Sequence, residues 1–291
     1  MLLTIQNEQI TLKVDTLGAQ MMELWSSDGV QYLWQGDPAI WNDRAPMLFP
    51  FVGRLTNNSY KYLGNIYPMN IHGFAASKEF SVIERDDDSI SLELRSDEQT
   101  LACYPFEFSL VITYKLNENN LAISFYVRNE SQCIMPFGIG GHPGFNVPLL
   151  DGERFEDYEL VFPVASRPDR VGFSETVYLN GHDQEYLLRE ERFIDLRHDL
   201  FDEDAVILKN MPREIALRSK KSGRGVSVSY PDFPFLGIWH WPHTKAPYVC
   251  IEPWSSLPSR QGIVEEFSCK SDLIHLGAGK DYAVTWSISV L

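Results

Sequence analysis

The sequence predicts an all-β protein, a large and mainly antiparallel β-sandwich with few short helices, folded as a single domain over residues 1–291. Three observations carry that prediction. Apolar and polar residues alternate with a period of two through most of the chain, the pattern of half-buried strands. The chain's 19 glycines and 17 prolines interrupt that alternation where turns are needed. Helical periodicity is almost absent.

Taken in order, the first clear strand is Ser89–Arg95, where Ile90, Leu92 and Leu94 alternate with Ser91, Glu93 and Arg95. The acidic run Asp86-Asp87-Asp88 before it reads as a solvated hairpin turn rather than a metal loop. Phe106, Phe108, Leu110 and Ile112 then alternate up to Asn117-Glu118-Asn119-Asn120, and Leu121, Ile123, Phe125 and Val127 alternate after it. Two such runs around a short polar turn predict an antiparallel hairpin. Further strands are expected at 158–162, 205–209, 214–218, 226–230, Phe235–Trp239, 248–252 and 282–290. Residues 183–193 read as a short exposed helix, dominated by charge and with a narrow apolar face. No repeat period, low-complexity tract or linker divides the chain.

Hydrophobic residues make up 44% of the chain and aromatic residues 13%, enough for a substantial core. With 25 basic against 40 acidic side chains, the net charge of -15 disfavours nucleic acid or an anionic membrane as partner and suits a small polar ligand. The first residues, Met1-Leu2-Leu3-Thr4-Ile5-Gln6, lack the basic start and longer apolar stretch of a secretory signal, so a cytoplasmic protein is expected. Cys103, Cys133, Cys250 and Cys269 are isolated from one another, which predicts buried free thiols rather than disulfides or a zinc site.

Two segments concentrate the chemistry. Gly140-Gly141-His142-Pro143-Gly144-Phe145-Asn146 brackets an imidazole with glycines, which permit close approach of backbone and ligand. In Cys250-Ile251-Glu252-Pro253-Trp254 a carboxyl follows an apolar run and precedes an indole, where burial favours its neutral form. Such a pair supplies an acid and a base for proton transfer near neutral pH. Arg54, in Phe49-Pro50-Phe51-Val52-Gly53-Arg54, stands in an apolar setting, and its forked donors suit sugar hydroxyls, carboxylates or phosphate. An Arg tied to a structural carboxylate explains it equally well. His72, in Asn70-Ile71-His72-Gly73-Phe74, taken alone reads as a satisfied loop His, and Arg44 as structural. His240 and His243 straddle Pro242, which breaks the helix that would align them, so no metal is expected there. Trp239, Trp241 and Trp254 flank the Glu252 region; flat rings of this kind line sugar sites and pack cores alike. There is no nucleophile elbow, phosphate-cradling Gly-rich loop or dinucleotide fingerprint.

The ordered series Arg54, His72, His142, Asp204 and Glu252 resembles the functional residues of the aldose 1-epimerase (galactose mutarotase-like) family across nearly the whole chain. Gly53-Arg54 with Asn57, His72-Gly73, His142 with Phe145-Asn146, Asp204 beside an apolar strand, and Glu252-Pro253 carry the resemblance. Pro143-Gly144 after His142 and Phe74 after His72-Gly73 depart from the best-known galactose mutarotases and look more like a divergent branch of the family. The resemblance implies an antiparallel β-sandwich with an open sugar cleft. It also implies His142 and Glu252 as catalytic acid and base, with Arg54, His72 and Asp204 binding substrate and no metal or organic cofactor required. The implied partner is a small sugar, bound by a monomer or homodimer. A hexose-6-phosphate mutarotase is the first alternative, needing several cations near Arg54, for which Arg44 and Lys61 are the further candidates. A non-catalytic carbohydrate-binding protein and a glycoside hydrolase using Asp204 and Glu252 are the others.

Overall fold

The computed structural model of the protein describes residues Met1–Leu291. Two large antiparallel sheets dominate it. The first has nine strands in the spatial order Phe193–Asp195, Tyr158–Val161, Glu214–Ser219, Gly225–Ser229, Asp281–Val290, Asn120–Asn129, Phe108–Asn117, Ser89–Arg95 and Ser81–Arg85. The second runs Gln184–Glu185, Asp169–Arg170, Val206–Lys209, Phe235–Trp239, Tyr248–Trp254, Gly140–Gly141 and Met47–Leu48, with Gly144–Asn146 also paired to Tyr248–Trp254. Inward-facing residues of both sheets join one apolar cluster of 65 buried side chains that runs from Leu3 to Val290. The all-β class therefore stands as read from the alternation.

The expected hairpin forms with Asn117 opposite Asn120, and Glu118 takes the left-handed backbone of the two-residue turn at φ 53°. Asp86-Asp87-Asp88 joins Ser81–Arg85 to Ser89–Arg95 as a hairpin turn. A three-stranded sheet of Leu2–Gln6, Ile10–Asp15 and Gln20–Ser26 was not anticipated. Its signal was present, since Ile10, Leu12 and Val14 alternate and are buried.

Helix placement needs correction. Residues 183–193 hold no helix; Gln184–Glu185 pairs at a sheet edge, and Glu190 and Glu191 adopt φ of 51° and 57°, which no right-handed helix accommodates. Arg189 ties that segment to the sheet by ion pairs to Glu159 and Asp195. The one α-helix is Glu98–Cys103, and its start is a reciprocal cap in which Asp97 Oδ1 accepts from Thr100 N at 2.6 Å and Thr100 Oγ1 from Asp97 N at 2.8 Å. The four thiols are free as expected, but only Cys250 is buried, Cys133 and Cys269 being exposed. No helix is long and apolar enough to cross a membrane.

Candidate active site

Strand Tyr248–Trp254 is buried on both faces, and its period of two decides where Glu252 points. Val249 and Ile251 face the large core, whereas Cys250, Glu252 and Trp254 occupy the opposite face. The neighbouring strand Val206–Lys209 divides the same way, with Val206 and Leu208 in the core and Ile207 outside it. That outer face of the second sheet floors a cleft of about 620 Å³, within the range of ordinary small-molecule sites.

Arg54, His72, His142, Asp204 and Glu252 all line this one cleft, although the first and the last lie 198 positions apart in the chain. His142 Nε2 lies 3.2 Å from Glu252 Oε2, and both side chains are nearly inaccessible to solvent. Burial pushes the Glu252 carboxyl well above its ordinary range; Asp204 adds to the rise, while the Trp254 Nε1–H donating to Oε2 at 3.2 Å opposes it. Burial likewise pulls His142 down to about 4. Both groups thus resist carrying charge, so the pair holds one titratable proton near neutral pH.

The glycines around His142 serve packing rather than ligand approach. A Cβ on Gly140 would meet Pro253 O at 2.6 Å, and one on Gly141 the Trp286 ring at 2.5 Å. Gly237 stands directly across the ladder from Glu252, and a Cβ there would press on Glu252 Cβ at 3.1 Å. A glycine at this position leaves the carboxyl its room.

His72 and Gly53 bond each other twice. His72 N donates to Gly53 O at 3.0 Å, and Gly53 N donates to His72 Nδ1 at 3.1 Å. Since Nδ1 accepts, the neutral ring carries its proton on Nε2. Burial, then the neighbouring His142 and Arg54, hold His72 well below its usual pKa, so it stays a neutral donor. Arg54 differs from the sequence picture of a buried cation: it is exposed and its guanidinium makes no ion pair or hydrogen bond within the protein. The reading in which a structural carboxylate holds it is therefore excluded. Asp204 adopts φ 73° and uses Oδ1 to accept its neighbour's Ala205 N–H at 2.8 Å, leaving Oδ2 free.

Aromatic walls complete the cleft. Trp239, Trp241 and Trp254 line it, and Trp41, which sequence reasoning missed, lies with its ring centroid 5.1 Å from that of His142. Asp43 is a second omission, an acidic group at the rim that burial raises. No local motif surrounds either; only the sheet brings them close. His240 faces away into the core, its Nδ1 bonded to Trp241 O at 2.8 Å and its Nε2 to His198 Nδ1 at 3.2 Å. Arg44 is structural, donating to Met22 O and Gln35 Oε1. One ligand atom each from His142, Cys250 and Glu252 fall within 4.8 Å of one another, a donor set that suits a thiophilic cation.

The protein is an antiparallel β-sandwich whose outer sheet face carries a buried imidazole–carboxyl pair in a tryptophan-walled cleft, and its fold is mutarotase-like. The model of the aldose 1-epimerase family matches residues 1–288, and the chain belongs to that family. The protein is 37% identical to the plasmid-encoded Protein LacX of Lactococcus lactis subsp. lactis over 265 residues, 88% of each chain. Its fold superposes on a galactose mutarotase related enzyme from Lactobacillus acidophilus with TM-score 0.95 and 34% identity, covering 100% of this chain and 97% of that one. A galactose mutarotase-like protein from Lactobacillus casei ATCC 334 gives TM-score 0.94 at 32% identity, with both chains covered completely.

Proposed function

We propose that the protein is an aldose 1-epimerase that interconverts the α and β anomers of a neutral hexose. The observation that carries this reading is the contact between His142 Nε2 and Glu252 Oε2 at 3.2 Å in the cleft. The two oxygens that must exchange protons in a cyclic hemiacetal, O1 and the ring O5, are bonded to the same carbon. An acid and a base in mutual contact match that spacing, whereas groups at opposite ends of the ring would not.

Ring opening starts with the shared proton on His142. Glu252 takes the proton from the O1 hydroxyl as His142 Nε2 gives its proton to O5; the C1–O5 bond breaks and the C1=O1 carbonyl forms. Rotation about C1–C2 presents the other carbonyl face. O5 then adds to C1, its proton returns to His142, and Glu252 reprotonates O1, so the enzyme is regenerated. The Trp254 Nε1–H supports the carboxylate form that the first step needs. Arg54 and the His72 Nε2–H hold the ring oxygen and adjacent hydroxyls, Asp204 Oδ2 accepts from another hydroxyl, and the indoles cover the apolar ring face.

A phosphorylated substrate would call for converging cations. Arg54 is the one Lys or Arg lining the cleft, against Asp43, Asp204 and Glu252. Two-dimensional exchange NMR over a panel of free and 6-phosphorylated aldoses tests the reading. Wild-type protein is expected to accelerate exchange of a free hexose, and Glu252→Gln and His142→Asn to lower kcat about 10²- to 10⁴-fold with smaller changes in KM. Wild-type rates in either variant would overturn the assignment. A chelator leaves the reaction untouched on this mechanism; loss of activity would instead assign His142, Cys250 and Glu252 to a metal.

A further inference from the structure

Cys250 carries a buried thiol that anomer exchange does not use. It lies two residues before Glu252 on the same face of strand Tyr248–Trp254, and the ladder seats it between Gly144 and Trp239. Of the four cysteines it alone is buried. Its sulfur, one His142 ring nitrogen and a Glu252 oxygen all fall within 4.8 Å of one another.

The spacing fits a tetrahedral cation. Nitrogen and oxygen ligands about 2.0–2.2 Å from zinc stand roughly 3.3 Å apart in that geometry, and His142 Nε2 and Glu252 Oε2 are 3.2 Å apart. The thiol supplies the third ligand. His142 and Glu252 border the cleft and Cys250 does not, so the fourth position faces the cleft and takes water. Charge fits as well. A dication held by one thiolate and one carboxylate replaces two protons, that of the thiol and that of the His142–Glu252 pair. Both leave to solvent, and no net charge stays buried. Magnesium and calcium require shells of oxygen ligands, which a sulfur, a nitrogen and one carboxyl do not provide.

The surroundings suit reversible rather than permanent binding. A ligating imidazole usually donates its second N–H to an acceptor, and losing that bond lowers affinity about 10- to 100-fold. His142 Nδ1 is shut off from solvent and has no hydrogen-bond partner. Two of the three ligands are also the acid and the base of the proposed reaction, so a cation bound to them stops proton transfer.

We propose that His142, Cys250 and Glu252 form an inhibitory site for a thiophilic divalent cation of the zinc type, which binds reversibly and switches the catalytic pair off. The inhibition rests on the proposed anomer exchange; the binding does not.

The test titrates metal-free wild type and Cys250→Ser with zinc, cobalt(II) or magnesium, and exchange NMR refers each rate to that protein's own metal-free value. Zinc is expected to halve the wild-type rate at about 10 μM free metal or less, and a chelator to restore it. Magnesium at about 100-fold higher concentration leaves the rate unchanged. Cys250→Ser is expected to need about tenfold more zinc or beyond. Bound cobalt(II) reports the sulfur directly, through the near-ultraviolet absorption of a cobalt–thiolate bond in wild type that Cys250→Ser lacks. Cys133 and Cys269 are exposed in both proteins and cancel in the difference. Should Cys250→Ser fail to fold, Glu252→Gln keeps the thiol, removes the charged oxygen ligand and is expected to weaken cobalt binding by about tenfold or more. No thiolate band in wild type, equal zinc inhibition of Cys250→Ser, or undiminished cobalt binding by Glu252→Gln overturns the proposal. Should no sugar show faster exchange, the mutarotase reading fails by itself, while a thiolate band lost with Cys250 still establishes the metal site.

Discussion

At the scale of single residues, the His142–Glu252 pair sets how the site answers to pH. Ordinary values of about 4.3 for Glu and 6.5 for His would confine the one-proton state to the interval between them. Burial moves the two apart, His142 down to about 4 and Glu252 well up, so the pair keeps its single proton through neutrality. kcat/KM is therefore expected to fall only as pH drops through about 4, where a second proton removes the base, and to hold through pH 7; an alkaline limb near 6.5 would refute the burial argument. Stability carries the same signature. A carboxyl whose folded pKa is raised contributes stability below its unfolded pKa and loses that contribution as pH rises toward the folded value. Glu252→Gln does not titrate, so its stability relative to wild type should increase from pH 5 to pH 8 by on the order of 1 kcal/mol or more. Urea melts at both pH values check this, and a pH-independent difference would contradict it.

At the scale of elements, strand Tyr248–Trp254 is the organising piece. Its alternation sends Val249 and Ile251 into the core and Glu252 into the cleft, and Gly237 on the paired strand leaves space for the carboxyl. Gly237→Ala places a methyl 3.1 Å from Glu252 Cβ. The expected result is a kcat lowered by about tenfold or more with a stability loss near 1 kcal/mol, because a small displacement of a catalytic group is costly while a single close contact relaxes. Unchanged kcat would mean that the carboxyl position is not critical. Strands were legible here because a period of two is visible within a few residues. The short helix Glu98–Cys103 was not, since six residues span too few turns to show an apolar stripe, although the Asp97-to-Thr100 spacing of its cap was present. Residues 183–193 misled because charge spacing resembled a helix surface, while the ion pairs of Arg189 to Glu159 and Asp195 that hold the segment to a sheet are non-local.

At the scale of the whole molecule, one apolar cluster links strands from Leu3 to Val290. Unfolding is expected as a single transition in which tryptophan fluorescence and far-ultraviolet circular dichroism coincide; separated midpoints would divide the chain into independent units. The sequence by itself determined the all-β class, the free state of its cysteines and the candidacy of Arg54, His142 and Glu252, because alternation, turn residues and unusual local settings are properties of neighbouring residues, while His72 and Asp204 entered only through the family resemblance. Only the tertiary structure decided that these five share one cleft, that Arg54 is exposed and unpaired, that Trp41 and Asp43 join them, and that the Cys250 thiol lies beside the His142–Glu252 pair. The physical reason is that strand order and sheet curvature bring together side chains far apart in the chain, and desolvation, which sets the behaviour of His142 and Glu252, depends on everything packed around them.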